Sequence, residues 1–96
     1  MKNETIRSNM TAQILKVMGH PVRVAIIKLL AKTKRMSVNE ISKALEVHQS
    51  VVSHHLNTLK NKGALRSERV GQNTFYLISH PGITNAVNCI LEVLKE

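Results

Sequence analysis

The stretch "HQSVVSHHLNTLKNKG", residues 48–63, decides how this chain is read. At roughly 100° per residue, Val52, Leu56 and Leu59 fall on one stripe of a helix that Gly63 can end. Ser50, His54, Asn57 and Asn61 fall on the opposite side, flanked by Ser53. A solvent-facing helix surface usually carries Glu and Lys. This one carries hydroxyls, amides and an imidazole, with Lys60 and Lys62 held back to the last turn. Short donors and acceptors on an exposed helix suit the reading of base edges in a DNA groove.

Working outward, "SVNEISKALEV" has Ser37 and Glu40 in capping-box register, so a helix starts there with Val38, Ile41, Ala44 and Leu45 as its apolar face. Only about three residues separate Leu45 from the next helix, which is the spacing of a helix-turn-helix whose second member enters a major groove. After Gly63 the period changes to that of strands. "LRSERVGQNTFYLI" places β-favouring residues on either side of Gly71-Gln72-Asn73, predicting a hairpin with Arg66 and Arg69 in its first strand and Gln72 at its tip. A basic hairpin after a recognition helix is a wing.

Upstream, "GHPVRVAIIKLL" puts Pro21 at a first helical position, with Val22, Ala25, Ile26, Leu29 and Leu30 as a buried stripe and "KTKR" as a basic loop after it. Residues 1–3 are expected to fray, and from Glu4 to about Met18 the residues Ile6, Met10, Ile14, Val17 and Met18 recur at helical spacing until Gly19. Pro81 restarts a last helix, where Ile83, Val87, Ile90 and Leu94 form a stripe widened by Ala86, Leu91 and Val93. The first and last helices are too apolar to face water. They are expected to pack together and against a second copy, through Ile6, Met10, Ile14, Ile83, Val87, Ile90, Leu91 and Leu94. The fold class is mainly α with a small β-hairpin, a winged helix-turn-helix in the order α-α-α-α-β-β-α, read as one domain over residues 1–96.

Composition narrows the partner. The 96 residues carry 14 Lys+Arg against 6 acids, a formal charge of +8, and every acid is a glutamate. So basic a chain favours a polyanion. Aromatic content is only 2%, whereas single-stranded nucleic acid generally needs stacking platforms, so duplex DNA is the better polyanion. Apolar runs are too short for a membrane span and no signal-peptide pattern opens the chain, so a cytoplasmic location is expected. The lone Cys89 excludes an internal disulfide and fits a reducing compartment.

The whole order of elements resembles the ArsR/SmtB family of small dimeric winged-helix repressors. "MGHPVRVAIIKLL" is similar to the family's LxxPxRxxILxxL, "HQSVVSHHLNTLKNKG" to SQSxVSxHLxxLxxxG, and "RVGQNTFYLI" to the RxGxxxYY wing. The resemblance implies operator binding by a homodimer, with contacts at the positions of Gln49, Ser50, Ser53 and His54. Three departures accompany it. Glu46 stands where the turn often has glycine. His48 replaces the usual serine cap. Neither the Cys-x-Cys pair nor the Asp-x-His and His-x-x-Glu/His set of the metal-sensing members is present.

His54 and His55 project about 100° apart and cannot chelate together. His54 points outward with the base-reading set, while His55 lies beside the apolar stripe and is expected to make a structural hydrogen bond. His20 and His80 each precede a proline at a helix start, where capping or exposure is the default. His80, Cys89 and Glu92 fall short of the ligand number a zinc site needs. No metal or other cofactor is therefore expected. No phosphate loop, triad or carboxylate pair supports an enzyme.

The sequence thus points to a homodimeric DNA-binding repressor. Gln49, Ser50, Ser53, His54 and Asn57 would read bases, with Val51 able to meet a thymine methyl. Lys60, Lys62, Arg66 and Arg69 would neutralise phosphates, and Gln72 would probe the backbone or minor groove. The inducer is unknown from these residues. One alternative is an interaction module that uses the same fold to dimerise or dock, which the polar recognition face argues against. Another is a repressor that responds through oxidation of Cys89.

Overall fold

The computed structural model describes residues 2–95, with the side chain of Lys2 excepted. The order is α1 (Lys2–Val17), α2 (Pro21–Thr33), β1 (Arg35–Met36), α3 (Val38–Leu45), α4 (Gln49–Asn61), β2 (Leu65–Val70), β3 (Asn73–Ile78) and α5 (Pro81–Val93). The fraying expected at residues 1–3 gives way to helix from Lys2, and Met1 lies outside the described residues.

The starts of α2, α3, α4 and α5 each have a local cause. Ser37 Oγ accepts from Glu40 N while Glu40 Oε1 accepts from Ser37 N, at 3.2 and 2.9 Å, so the capping box closes in both directions. His20 and His80 cap α2 and α5 through Nδ1, which accepts from Val22 N and Gly82 N respectively. His48 does the same for α4, accepting from Ser50 N at 3.1 Å.

The turn between α3 and α4 is stitched by Ser42. Its carbonyl accepts from the Glu46 and Val47 amides, and its hydroxyl donates to the Val47 carbonyl. Glu46 adopts the left-handed conformation (φ 55°, ψ 43°), so this glutamate bears a strain that glycine would escape.

Ile26, Ile27, Leu30, Ile41, Val52, Leu56 and Leu59 form the centre of the core, all essentially inaccessible to water. The helix-turn-helix therefore packs on α2, which places the outer face of α4 toward solvent. Ile27 is a core residue that the expected α2 stripe omits. Conversely Ala44, expected on the apolar face of α3, is exposed, and the deeper contact falls to Ile41 alone.

The expected hairpin is part of a three-stranded antiparallel sheet in the order β1-β3-β2. The addition is β1, where Arg35 pairs with Leu77 and Met36 with Tyr76. The basic "KTKR" segment thus ends in a strand rather than a loop, because its last residue completes an edge of β3. Arg35 also bridges to Glu68 at 3.2 Å and lies 4.7 Å over the Phe75 ring, tying β1 to the wing. The hairpin turn is the two-residue Gly71-Gln72, with Val70 opposite Asn73. Gly71 takes φ 63°, a value that short hairpin turns require and that few other residues tolerate. At the wing's base, Ser79 Oγ donates to the carbonyls of Gly63 and Ala64, fixing where the strands leave α4.

Candidate nucleic-acid interface

Along α4, Gln49, Ser50, His54 and Asn57 are exposed and Ser53 is half-buried, while Val52, His55, Leu56 and Leu59 are buried. The expected reading residues therefore share one outward strip, and Val51 lies at its edge, 42% exposed. Because His48 Nδ1 already accepts the Ser50 amide, that nitrogen carries no proton, and the Ser50 hydroxyl 2.9 Å away donates to it. With its proton engaged there, Ser50 Oγ is left to act as an acceptor. This cap, which His48 supplies in place of serine, orients Ser50, the first of the residues expected to read bases.

The cationic set does not gather as one group. Lys60, Arg66, Arg69 and Lys62 are all exposed, but side chains on a strand alternate between faces. Arg69 shares a face with Ser67 and the buried Leu65, and its Nε donates to the Gly71 carbonyl at 3.4 Å, over the turn. Arg66, opposite Leu77, points the other way and lines a hollow with Lys34 and Ser79 at the end of α2. Lys62 caps the C-terminus of α4 and lines a separate hollow with Lys16 and Arg23. Gln72 stands exposed at the wing tip.

Beneath the strip lies a polar network that the sequence reading only half anticipates. His55 is 6% exposed, and its Nδ1 accepts from Arg23 Nε at 3.0 Å. Arg23 Nη1 also donates to the Val17 carbonyl at 3.1 Å, so one guanidinium joins the end of α1, the first turn of α2 and the middle of α4. The His20 ring sits 4.5 Å from that of His55, and His54 lies 5.5 Å from it on the outer side. Burial lowers the His55 pKa from 6.5, and charge on His20, Arg23 and His54 pushes the same way. His55 is therefore neutral, with its proton on Nε2. A lone arginine among the apolar residues of "HPVRVAIIKLL" was the available signal for this network.

The apolar stripe expected at the dimer divides. Val87 is 7% exposed and belongs to the protomer's own core, because α5 lies against α2 and β3 and its inner edge is taken up there. Ile14, Ile83 and Leu91 are half-buried, whereas Ile6, Met10, Ile90 and Leu94 are 56, 62, 52 and 72% exposed. Two hollows of about 280 and 300 Å³ are bordered by residues of α1 and α5, with Leu15 and Met18 in both. Cys89 is exposed on α5. Among the described residues no three His, Cys, Asp or Glu side chains come together as a metal-holding group, and no helix is long and apolar enough to cross a membrane.

Residues 20–67 match the family described as "Bacterial regulatory protein, arsR family". The chain is 36% identical to an HTH-type transcriptional regulator of Methanocaldococcus jannaschii, over 88% of this chain and 91% of that one. It is 34% identical to the transcriptional repressor PagR of Bacillus anthracis, over 82 and 79% of the two chains. The crystal structure of PagR superposes with a TM-score of 0.84 over 90% of this chain and 98% of its own, at 31% identity in the structural alignment. The winged helix-turn-helix domain Mb0332 of Mycobacterium bovis shares the fold at 21% identity, with a TM-score of 0.87 over 98 and 86% of the chains. The matched segment runs from the cap of α2 to the first strand of the wing and so holds both the exposed strip of α4 and the network beneath it. The chain belongs to the arsR family of winged helix-turn-helix transcriptional regulators.

Proposed function

We propose that this regulator is a repressor that binds an inverted-repeat operator as a homodimer. The observation that carries the reading is the exposed strip of Gln49, Ser50, His54 and Asn57 on a helix whose opposite face is fully buried. Such a strip, short in reach and rich in donors and acceptors, matches base edges in a major groove. Ser53 borders it from a half-buried position. Lys60 and Arg69 flank it and neutralise phosphates, Gln72 extends from the wing tip, and Arg66 on the opposite face of the wing contributes through its field.

The dimer is supported by the exposed residues Ile6, Met10, Ile90 and Leu94, which lie on the two helices framing the helix-turn-helix. Large apolar side chains left in water at this density favour a second copy. Repression by a family relative such as PagR supports the same sign of regulation here.

Selection of bound duplexes from a random pool, followed by sedimentation of the complex, tests this. The expected result is an inverted repeat with half-site centres about 10 bp or a multiple apart, bound by two chains, with affinity falling steeply with salt. No enriched motif, equal affinity for single strands, or one chain per site would overturn it.

A further inference from the structure

We infer that the hollow between α1, α2 and α4 binds an oxyanion group, phosphate or carboxylate, of a small organic molecule. Its volume is about 330 Å³, and Gln13, Lys16, Val17, Arg23, Thr58 and Lys62 line it. That size lies within the range of small-molecule sites. Three cations and a carboxamide border one space with Thr58, whose hydroxyl proton already goes to the His54 carbonyl, and no carboxylate is among them.

The six glutamates of the chain are engaged elsewhere or lie apart. Glu4, Glu68 and Glu92 pair with Arg7, Arg35 and Lys95. Glu40 closes the α3 capping box and Glu46 occupies the turn after that helix. Glu96 lies outside the described residues. Among the described residues, then, Lys16, Arg23 and Lys62 have no carboxylate partner, and their mutual repulsion is relieved by an anion between them.

Arg23 is the fixed element. Its Nε and Nη1 are held by His55 and the Val17 carbonyl, which orients the guanidinium before any ligand arrives. A planar donor held in place loses little freedom on binding an oxyanion. Lys16 and Lys62, both exposed, border the same hollow.

The hollow is distinct from the proposed reading strip. Thr58 and Lys62 project about 90° around α4 from the mean direction of Ser50, His54 and Asn57. Lys16 and Gln13 of α1 form the far wall. Lys62, expected from the sequence on a DNA phosphate, takes its place in this site instead.

The test titrates the ¹⁵N-labelled full chain with pyrophosphate, and separately with citrate, at ionic strength held constant with sodium chloride. A saturable shift centred on Gln13, Lys16, Val17, Arg23 and Thr58, with movement of the Arg23 Nε–H resonance, is expected. Lys16→Gln and Lys62→Gln, exposed and remote from the core, should each weaken binding roughly tenfold or more, the usual loss for a charge-assisted contact. Absence of saturation with both anions, shifts spread over residues 49–57 and the wing, or unchanged affinity in Lys16→Gln would overturn the site. A second arm measures random-duplex affinity against salt. An unchanged slope in Lys16→Gln supports a small-molecule ligand. A slope reduced by about one unit places a DNA phosphate in the hollow and overturns that assignment.

Discussion

Breaking the contact between Arg23 and His55 should cost more than removing both partners. His55 Nδ1 is buried and accepts only from Arg23, and the same guanidinium satisfies the Val17 carbonyl. A hydrogen bond from a charged donor contributes about 1.5–3 kcal/mol, and a buried acceptor left unmet carries its full desolvation cost. Arg23→Met is therefore expected to lose about 2–4 kcal/mol. At about 4–8 °C per kcal/mol for a domain of this size, the melting temperature falls by about 8–32 °C. His55→Leu strands the guanidinium instead and should also destabilise. The double variant replaces both ends by apolar groups and should recover part of the loss, giving a coupling of about 1–3 kcal/mol. Urea unfolding at fixed protein concentration measures the cycle. The pH dependence gives a second reading. His55 titrates near 6.5 when unfolded and lower when folded, so the unfolded chain binds more protons between those values. Stability therefore falls on acidification, beginning near pH 6.5 and levelling once pH passes below the folded pKa. That portion of the slope should vanish in His55→Leu. Additive single variants within about 0.5 kcal/mol, or identical pH slopes with and without the imidazole, would refute the network.

Glu46→Gly should stabilise by about 0.5–1 kcal/mol in urea unfolding, since glycine relieves the left-handed strain at φ 55° while losing more entropy on folding. His54→Ala should weaken a selected operator by about 1–3 kcal/mol and leave random duplex nearly unchanged, whereas Lys60→Ala should weaken both and flatten the salt dependence; competition binding separates the two. Ile90→Asp puts a charge at an exposed apolar position and should abolish dimer and operator binding together in sedimentation and gel shift, with the protomer still helical by circular dichroism.

What the sequence revealed is what short-range physics determines. The capping box at Ser37 and Glu40, the stripe of Val52, Leu56 and Leu59, and the turn at Gly71 all lie within a few residues of their cause. What it concealed depends on elements meeting in space. Arg23 and His55 are 32 positions apart, and only the crossing of α2 and α4 makes them partners. β1 has two residues, too few to display any period, and exists because an edge of β3 was open. A helical stripe near half the circumference cannot say which part faces the protomer, and only the packing of α5 on α2 and β3 puts Val87 in the protomer's own core. The parting of Arg66 and Arg69 follows from strand alternation, since residues three apart on a strand face opposite sides. The exposed strip of α4 was legible because exposure on one side follows from burial on the other. The anion hollow was not, because its walls come from three helices.

The position of α1 gives these separate features a common mechanical sense. It is a helix of 16 residues, and among its described side chains only Val17 is buried and only Ile14 half-buried. An isolated helix of that length is marginal in water, so α1 depends on its anchorage and on the partner proposed to cover it. The anchorage lies at one end, where Val17 and Met18 enter the core and Arg23 holds the Val17 carbonyl. The same guanidinium holds His55 of α4, directly behind His54 on the proposed reading strip. The Arg23 guanidinium is thus a polar contact that α1 shares with α4 through α2, and a displacement of α1 is expected to be felt there first. The apolar core of α2, α3 and α4 has no such freedom, being closed to solvent on every side. Regulation of DNA reading by the state of α1 would thus pass through a polar contact that a single-residue change can cut, which is why Arg23 and His55 are the first positions to perturb.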